Sequence, residues 1–198
     1  MKKVLRVTTL IVLGLMASPL SVLATPPLET MQTSVNRVLE VLRDPALKGE
    51  SAKGRKEKQV WAIMDGVFDY DELSKRTLAQ HWKAFNSEQQ KEFTQLFGKL
   101  LGGIYMDKIM GYTNEKVVFT KASTFSDEMA EVQSEIITAT KSIPIGYRMI
   151  SKGGQWKVYD VMIEGVSLVQ NYRSQFRDIL SKKSAESLLN MLREKVKK

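Results

Sequence analysis

The segment from Gln155 to Arg177, QWKVYDVMIEGVSLVQNYRSQFR, constrains the fold more than any other part of the chain. Its first half, Gln155 to Ile163, is dense in apolar and aromatic residues and has strand character. Beyond Glu164-Gly165, the residues Val166, Leu168, Val169, Tyr172 and Phe176 recur at helical spacing. A change of period from two to 3.6 across one glycine predicts a strand that hands the chain to a helix packed on its own sheet. Trp156, Tyr159, Tyr172 and Phe176 share the segment with Asp160, Arg173 and Arg177. Such a mixture describes the core of an α+β domain.

Upstream, Leu28, Met31, Val35, Val38, Leu39 and Leu42 predict an amphipathic helix stopped by Asp44-Pro45. The polar run from Lys48 to Gly54 reads as a loop. A second helix carries Val60, Ile63, Met64 and Val67, and a short third follows Asp69-Tyr70-Asp71-Glu72 with Leu73 and Leu78. His81 to Phe85 adds a further helical turn. Ser87 is expected to cap a long helix, with Gln90 returning the bond. That helix presents Phe93, Leu96, Phe97, Leu100, Leu101, Ile104, Tyr105, Ile109 and Met110. Gly98, Gly102 and Gly103 lie inside it, each costing about 1 kcal/mol against alanine. Close approach of a neighbouring element, or a bend, would explain them.

Past Gly111 the texture turns to strands: Glu115 to Lys121, Glu128 to Thr140, Ile143 to Ser151 and Gln155 to Glu164. Ser126-Asp127 and Lys152-Gly153-Gly154 suit tight antiparallel turns. Ile143, Ile145, Tyr147 and Met149 line one face of the third strand, with Arg148 on the other. Pro144 argues for an edge or for the start of that strand. Helices from Val166 to Leu180 and from Ser184 to Val196 close the chain. The expected architecture is α+β: a curved, antiparallel, four-stranded sheet against a group of helices, cone-like, with an internal apolar cavity.

The N-terminal residues bear on location. Lys2, Lys3 and Arg6 precede an apolar run from Val7 to Met16, then Pro19 and a small-residue cut signature ending at Ala24. Residues 1–24 are therefore expected to be a cleavable secretory leader, the apolar run being too short to span a bilayer. Residues 25–198 form the expected single domain, enough to bury about two-thirds of the unfolded surface. Zero cysteines rule out a disulfide framework and a lipid-modified cysteine at the cut. Removing the leader takes three of the 30 Lys and Arg, so 27 cations face 22 acids and the net charge is +5. Lys53, Arg55, Lys56 and Lys58 form one basic cluster, and Lys182, Lys183, Arg193, Lys195, Lys197 and Lys198 crowd the C-terminus. Nucleic acid is a poor partner for an exported chain without a finger, winged or repeat motif. An anionic membrane surface, an acidic protein patch or simple solvation all remain open readings of this charge.

Catalytic chemistry is sparse. His81 is the sole histidine, and Trp82 beside it suits a packed structural residue. No phosphate-cradling glycine loop, G-x-S-x-G or H-E-x-x-H is present, and no zinc-ligand spacing. Asp65, Asp69, Asp71 and Glu72 fall at a helix junction, where capping accounts for them. Asp160 and Glu164 are the best carboxylate candidates, as an acid/base pair, in salt bridges to Arg148 or Arg173, or simply exposed at an edge. No catalytic residue, metal site or cofactor is expected. A binding cavity has more support: Met106, Met110, Met149 and Met162 fall where the long helix and the sheet are expected to face each other. Methionines there adapt to a ligand or simply fill a core. Tyr105, Tyr147, Tyr159 and Tyr172 offer apolar bodies with polar rims, and Arg148 and Arg173 could meet a phosphate.

Three stretches carry a resemblance. FDYDELSKRTLAQHWKAFNSEQQKEF from Phe68 to Phe93, YRM at Tyr147, and WKVYDVMIEGVSLVQNYRSQF from Trp156 to Phe176 closely resemble the MlaC family, also called the Ttg2D or toluene-tolerance auxiliary family. The resemblance implies a soluble periplasmic phospholipid carrier with acyl chains buried between sheet and helices and the headgroup near solvent. It implies cargo shuttled between an outer-membrane lipoprotein–porin complex and an inner-membrane ABC transporter bearing an MCE-domain protein, to maintain outer-membrane lipid asymmetry. No nucleotide site is implied, bound phospholipid being cargo and not cofactor, and a monomer is expected.

The family has no catalytic residue to carry over, so the chamber wall and rim are read from patterning. They are Leu101, Tyr105, Met106, Ile109, Tyr147, Met149, Tyr159, Val161, Ile163, Val166, Val169 and Tyr172, with Arg148 and Arg173 at the rim. A small-molecule binder or enzyme on a similar cone-shaped scaffold, with Asp160 as its polar centre, is the alternative. A structural adaptor of an envelope complex is a third reading.

Overall fold

The computed structural model describes residues 26–112 and 114–197. The expected leader lies outside the described residues. In chain order the elements are α1 (Pro27–Arg43), α2 (Glu50–Val67), α3 (Tyr70–Leu78), α4 (Ser87–Met110), β1 (Lys116–Ser126), β2 (Met129–Ile137), β3 (Ser142–Lys152), β4 (Gln155–Ile163), β5 (Val166–Ser167), α5 (Leu168–Leu180) and α6 (Ala185–Val196). Short 3-10 helices at Pro45–Leu47 and Ala79–Ala84 complete the described elements.

Local chemistry explains most of the boundaries. Pro27 opens α1, where a missing N–H costs nothing. Asp44 stops it by turning its carboxylate to the Ala46 N–H at 2.8 Å. Helix α2 begins at Glu50, so the expected loop to Gly54 is shorter and Gly54 lies within a helix. The cap of α4 is also one residue earlier than expected. Asn86, extended at φ −71° and ψ 171°, accepts from the Gln89 N–H at 2.9 Å, and Gln89 returns the bond at 3.2 Å. Ser87 is already helical. Gln90 instead donates its amide to the carbonyls of Trp82 and Phe85, tying α4 to the preceding turn.

The sheet runs in the order β1-β2-β3-β4-β5, antiparallel throughout. It has five strands where four were expected. The fifth arises because Glu164 and Gly165 both take positive φ, 50° and 82°, as the tight hairpin turn requires. The chain therefore reverses and pairs Val166 with Ile163 before the helix starts at Leu168. Pro144 is near the start of β3, a central strand, and its carbonyl accepts the Glu164 N–H at 3.0 Å. The outer edge of β4 is blunted twice, by β5 at one end and by Phe68 at the other, where the Asp69 N–H bonds the Val158 carbonyl at 2.8 Å. The free edge of β1 carries two register breaks and Lys116 and Lys121, which discourage foreign pairing.

A bulge in β4 decides which side chains face inward. Met149 pairs with Val158 and Arg148 with Asp160, so Tyr159 is the extra residue. Trp156 and Val158 point to one face before the bulge, and Val161 joins them after it. Met162, expected to face the long helix, is turned to the opposite face together with Arg148, Asp160 and Gly146. There it packs so closely that a Cβ on Gly146 would come within 2.5 Å of its methyl group.

Two apolar clusters form. One joins the inner face of the sheet to α1 and the end of α2 through Met31, Val67, Ala130, Val132, Met149, Trp156 and Val158. The other lies among the helices: Leu73, Leu78, Phe85, Phe93, Phe97, Leu100, Leu101, Val169, Phe176, Leu188, Leu189 and Leu192. Helix α4 packs chiefly on α6, α3 and α2, while α1, α2, α3 and α5 meet the sheet. Arg193 clamps α6 to α4 by a two-pronged bond to Glu92, at 2.6 and 2.7 Å. Among the described residues, no helix is long and apolar enough to cross a membrane.

Candidate functional site

The expected wall residues divide between the two clusters. On the sheet side, Met149 belongs to the buried cluster, and Tyr147 and Val161 pack against it. Tyr147 pairs with Val132 on one side and Val161 on the other, so the three form a row across β2, β3 and β4. Burial pushes the Tyr147 hydroxyl pKa up, and the Ser134 hydroxyl at 3.4 Å opposes the shift. The same tyrosine keeps part of its side chain accessible. Phe119 and Ile163 are also half-buried.

On the helix side, Leu101 and Val169 are within the second cluster, with Tyr105 and Tyr172 packed against it. The aromatics interlock: Phe97 contacts Phe93 and Phe176 at ring separations of 5.4 Å and Tyr172 at 5.1 Å, the last two edge-on. Met106 is buried and Ile109 half-buried on the last turns of α4. Phe68 packs against both clusters and stacks on Tyr70 at 5.7 Å. It joins the layers, and patterning did not single it out because it follows Val67 just past the last helical position of α2.

Burial raises the pKa of Tyr105, Tyr159 and Tyr172, with Arg76 and Arg148 partly opposing the rise at Tyr159. All four expected wall tyrosines therefore stay neutral at neutral pH and offer apolar rings with a hydroxyl each. That chemistry suits hydrocarbon beside an ester or a phosphate.

Other expected residues are elsewhere. Tyr159 is buried at the bulge, with the Arg76 guanidinium 4.1 Å above its ring. Arg173 donates two hydrogen bonds, at 3.0 and 2.7 Å, to the Arg76 carbonyl near the end of α3. Arg148 faces away from Tyr147, between Glu131 at 3.5 Å and Asp160 at 3.6 Å. Val166 is exposed on β5.

Asp160 is 1% exposed and has both oxygens engaged. Oδ2 accepts from the Ser167 hydroxyl at 2.6 Å and Oδ1 from the Val169 N–H at 3.0 Å. Ser167 in turn caps α5 by accepting the Gln170 N–H at 3.0 Å. Of the three readings left open, Asp160 takes the ion pair with Arg148. Glu164 is in the exposed turn, 3.5 Å from Lys141, so the two carboxylates do not make an acid/base pair. Asp69 caps α3 through the Glu72 N–H at 2.9 Å, and Lys152 bonds Asp69 and lies 3.8 Å from Glu72. His81 is half-buried, and no partner for its Nε2 is found among the described residues. Among the described residues, no group of His, Asp or Glu is arranged to hold a metal.

Comparison with known proteins gives concordant results. The family model described as MlaC protein matches residues 32–194. The intermembrane phospholipid transport system binding protein MlaC of Haemophilus influenzae is 27% identical over 124 residues, 60% of this chain and 58% of that protein. The chain thus spans 58% of the length of that relative. The toluene tolerance protein ttg2D of Pseudomonas putida is 24% identical over 165 residues, 82% of this chain and 77% of its own. In fold, the chain matches a phospholipid-binding protein from Ralstonia solanacearum solved in complex with a phospholipid. The TM-score is 0.76 at 24% identity, over 87% of this chain and 97% of that one. With the family pattern matched from the middle of α1 to the last turn of α6, the chain belongs to the MlaC family.

Proposed function

We propose that the protein is a periplasmic carrier of glycerophospholipid, exported by the leader expected at residues 1–24. The tails lie between the inner face of the sheet and the helix layer. The observation that carries this reading is the pair of apolar clusters with partly accessible margins. Tyr147, Val161 and Phe119 flank the sheet cluster, and Tyr105 and Tyr172 the helical one. A diacyl lipid carries about thirty methylenes, each worth about 0.8 kcal/mol on leaving water. Water must therefore be excluded along nearly the whole length of the tails, and two facing apolar walls do that.

Cargo passes between an outer-membrane lipoprotein–porin complex and the MCE-domain protein of an inner-membrane ABC transporter, which supplies the energy. This traffic keeps the outer membrane asymmetric. In this reading the protein acts as a monomer, without cofactor and without chemistry on the lipid, and Asp160 serves to hold β4 to α5.

Organic extraction of the purified protein followed by mass spectrometry tests the reading, with near-stoichiometric phospholipid expected. Tyr147→Glu and Val161→Glu should each abolish co-purified lipid while circular dichroism still reports a folded chain. Full lipid occupancy in both variants would remove these residues from the wall. A lipid-free wild type that takes up none on incubation with vesicles would sink the carrier itself.

A further inference from the structure

The first half of α2 buries little beyond Ala52. From Glu50 to Gln59 its residues are exposed or half-buried except Ala52. Gly54 lies inside it, and Gly49 ahead of it, at φ 85°, offers no side-chain cap. A helix that is polar on nearly every side needs compensating ion pairs or a partner surface. Five cations, Lys48, Lys53, Arg55, Lys56 and Lys58, stand against two acids, Glu50 and Glu57, in eleven residues. Among the described residues none of the seven forms a salt bridge, although cations elsewhere do, such as Arg76, Lys152 and Arg193. Lys56 alone spends a donor on the protein, at the Leu42 carbonyl, 3.2 Å away. Beside this segment runs an open groove of about 500 Å³, lined by Lys53 and Lys56, by the acids Glu50 and Asp107, and by Leu47 and Met110, so the excess of positive charge lies on the helix face and not in the groove.

We infer that the exposed basic face of the Glu50–Gln59 segment is the docking surface for an acidic protein partner, whose carboxylates supply the missing counter-charges. This rests on the carrier reading, since it assigns the face by which the carrier meets an envelope complex. An anionic bilayer is the poorer occupant. A membrane-surface helix needs an apolar face beside its basic one, and none of the four exposed large hydrophobics, Ile104, Phe125, Ile137 and Val166, is on α2. Clustered unpaired lysines and arginine raise the rate of encounter with an acidic surface and make it sensitive to salt.

The test uses the full mature protein and two probes, the soluble part of the MCE-domain protein and the detergent-solubilised lipoprotein–porin complex. Affinity is measured by biolayer interferometry at low and at physiological salt. The triple reversal K53E/R55E/K58E is expected to weaken binding to at least one probe tenfold or more and to flatten its salt dependence. The control K182E/K183E should bind within twofold of wild type. All three substituted side chains are exposed, and matching melting temperatures would confirm that the variant is folded. Unchanged affinity of the reversal for both probes overturns the inference. So does salt-independent or undetectable wild-type binding, or loss of binding to phosphatidylglycerol vesicles with protein binding intact. Lipid extraction of the same preparations separates the two claims. Phospholipid in both proteins with unchanged docking refutes only the surface, whereas its absence from wild type refutes the carrier.

Discussion

At the scale of the residue, Asp160 has the most to lose. Its carboxylate holds a strand, a cap and a helix N-terminus together, with Arg148 3.6 Å away as countercharge. Removing it leaves the Ser167 hydroxyl and the Val169 N–H without their acceptor in a buried place. Breaking such an arrangement from one side costs about 3 kcal/mol. Asp160→Ala should therefore lower unfolding stability by about that amount in urea titrations. Ser167→Ala, which removes the cap and one bond to the carboxylate, should lose about 1–2 kcal/mol. A near-neutral Asp160→Ala would mean that the carboxylate is not the joint described. Two acids four residues apart suggested a reactive pair, but sequence spacing cannot reveal that a bulge and a turn separate them.

At the scale of the element, α4 shows why glycines in a long helix are not equivalent. A Cβ on Gly102 would come within 1.6 Å of the Trp61 ring, and one on Gly98 within 3.2 Å of Tyr70. Gly103 has nothing within 4 Å. Gly102→Ala is therefore expected to destabilise by about 1–3 kcal/mol through overpacking. Gly103→Ala is expected to stabilise by up to about 1 kcal/mol, because helix propensity then acts unopposed. Thermal melts of the two variants, moving in opposite directions, would check both. The sequence marked all three glycines as concessions to packing or bending. Which of them admits an aromatic ring depends on where α2 and α3 lie, and that is a tertiary fact.

For the whole molecule, the proposed carrier role would make cargo part of the structure, bridging the sheet and helix clusters that Phe68 joins. A ligand that binds the folded state alone adds RT ln(1 + [L]/Kd) to its stability, about 2.7 kcal/mol at a hundredfold excess over Kd. Delipidated protein should consequently melt several degrees below the lipid-loaded form, and re-incubation with phospholipid vesicles should restore the higher transition. Equal melting temperatures with lipid verified present and absent would show that the tails do not bridge the two layers.

Much of this was legible in the chain itself. Helical periodicity placed α1, α3, α4 and α6, and alternation with turn residues placed the four long strands, because local sterics and amphipathic burial act over a few residues. The stretches from Phe68 to Phe93 and from Trp156 to Phe176 were enough to indicate the family. Three decisions belonged to the tertiary structure alone. The bulge at Tyr159 reversed the alternation of β4 and turned Met162 to the face of Arg148 and Asp160. Two left-handed residues at Glu164-Gly165 formed a fifth strand from what read as the first turn of a helix. The partners of Asp160 turned a candidate base into a structural joint. Each depends on how neighbouring strands pair and on which groups a side chain reaches, and a shift of one residue exchanges the two faces of a strand. Local patterning fixes which residues are apolar, but only long-range register fixes which way they point.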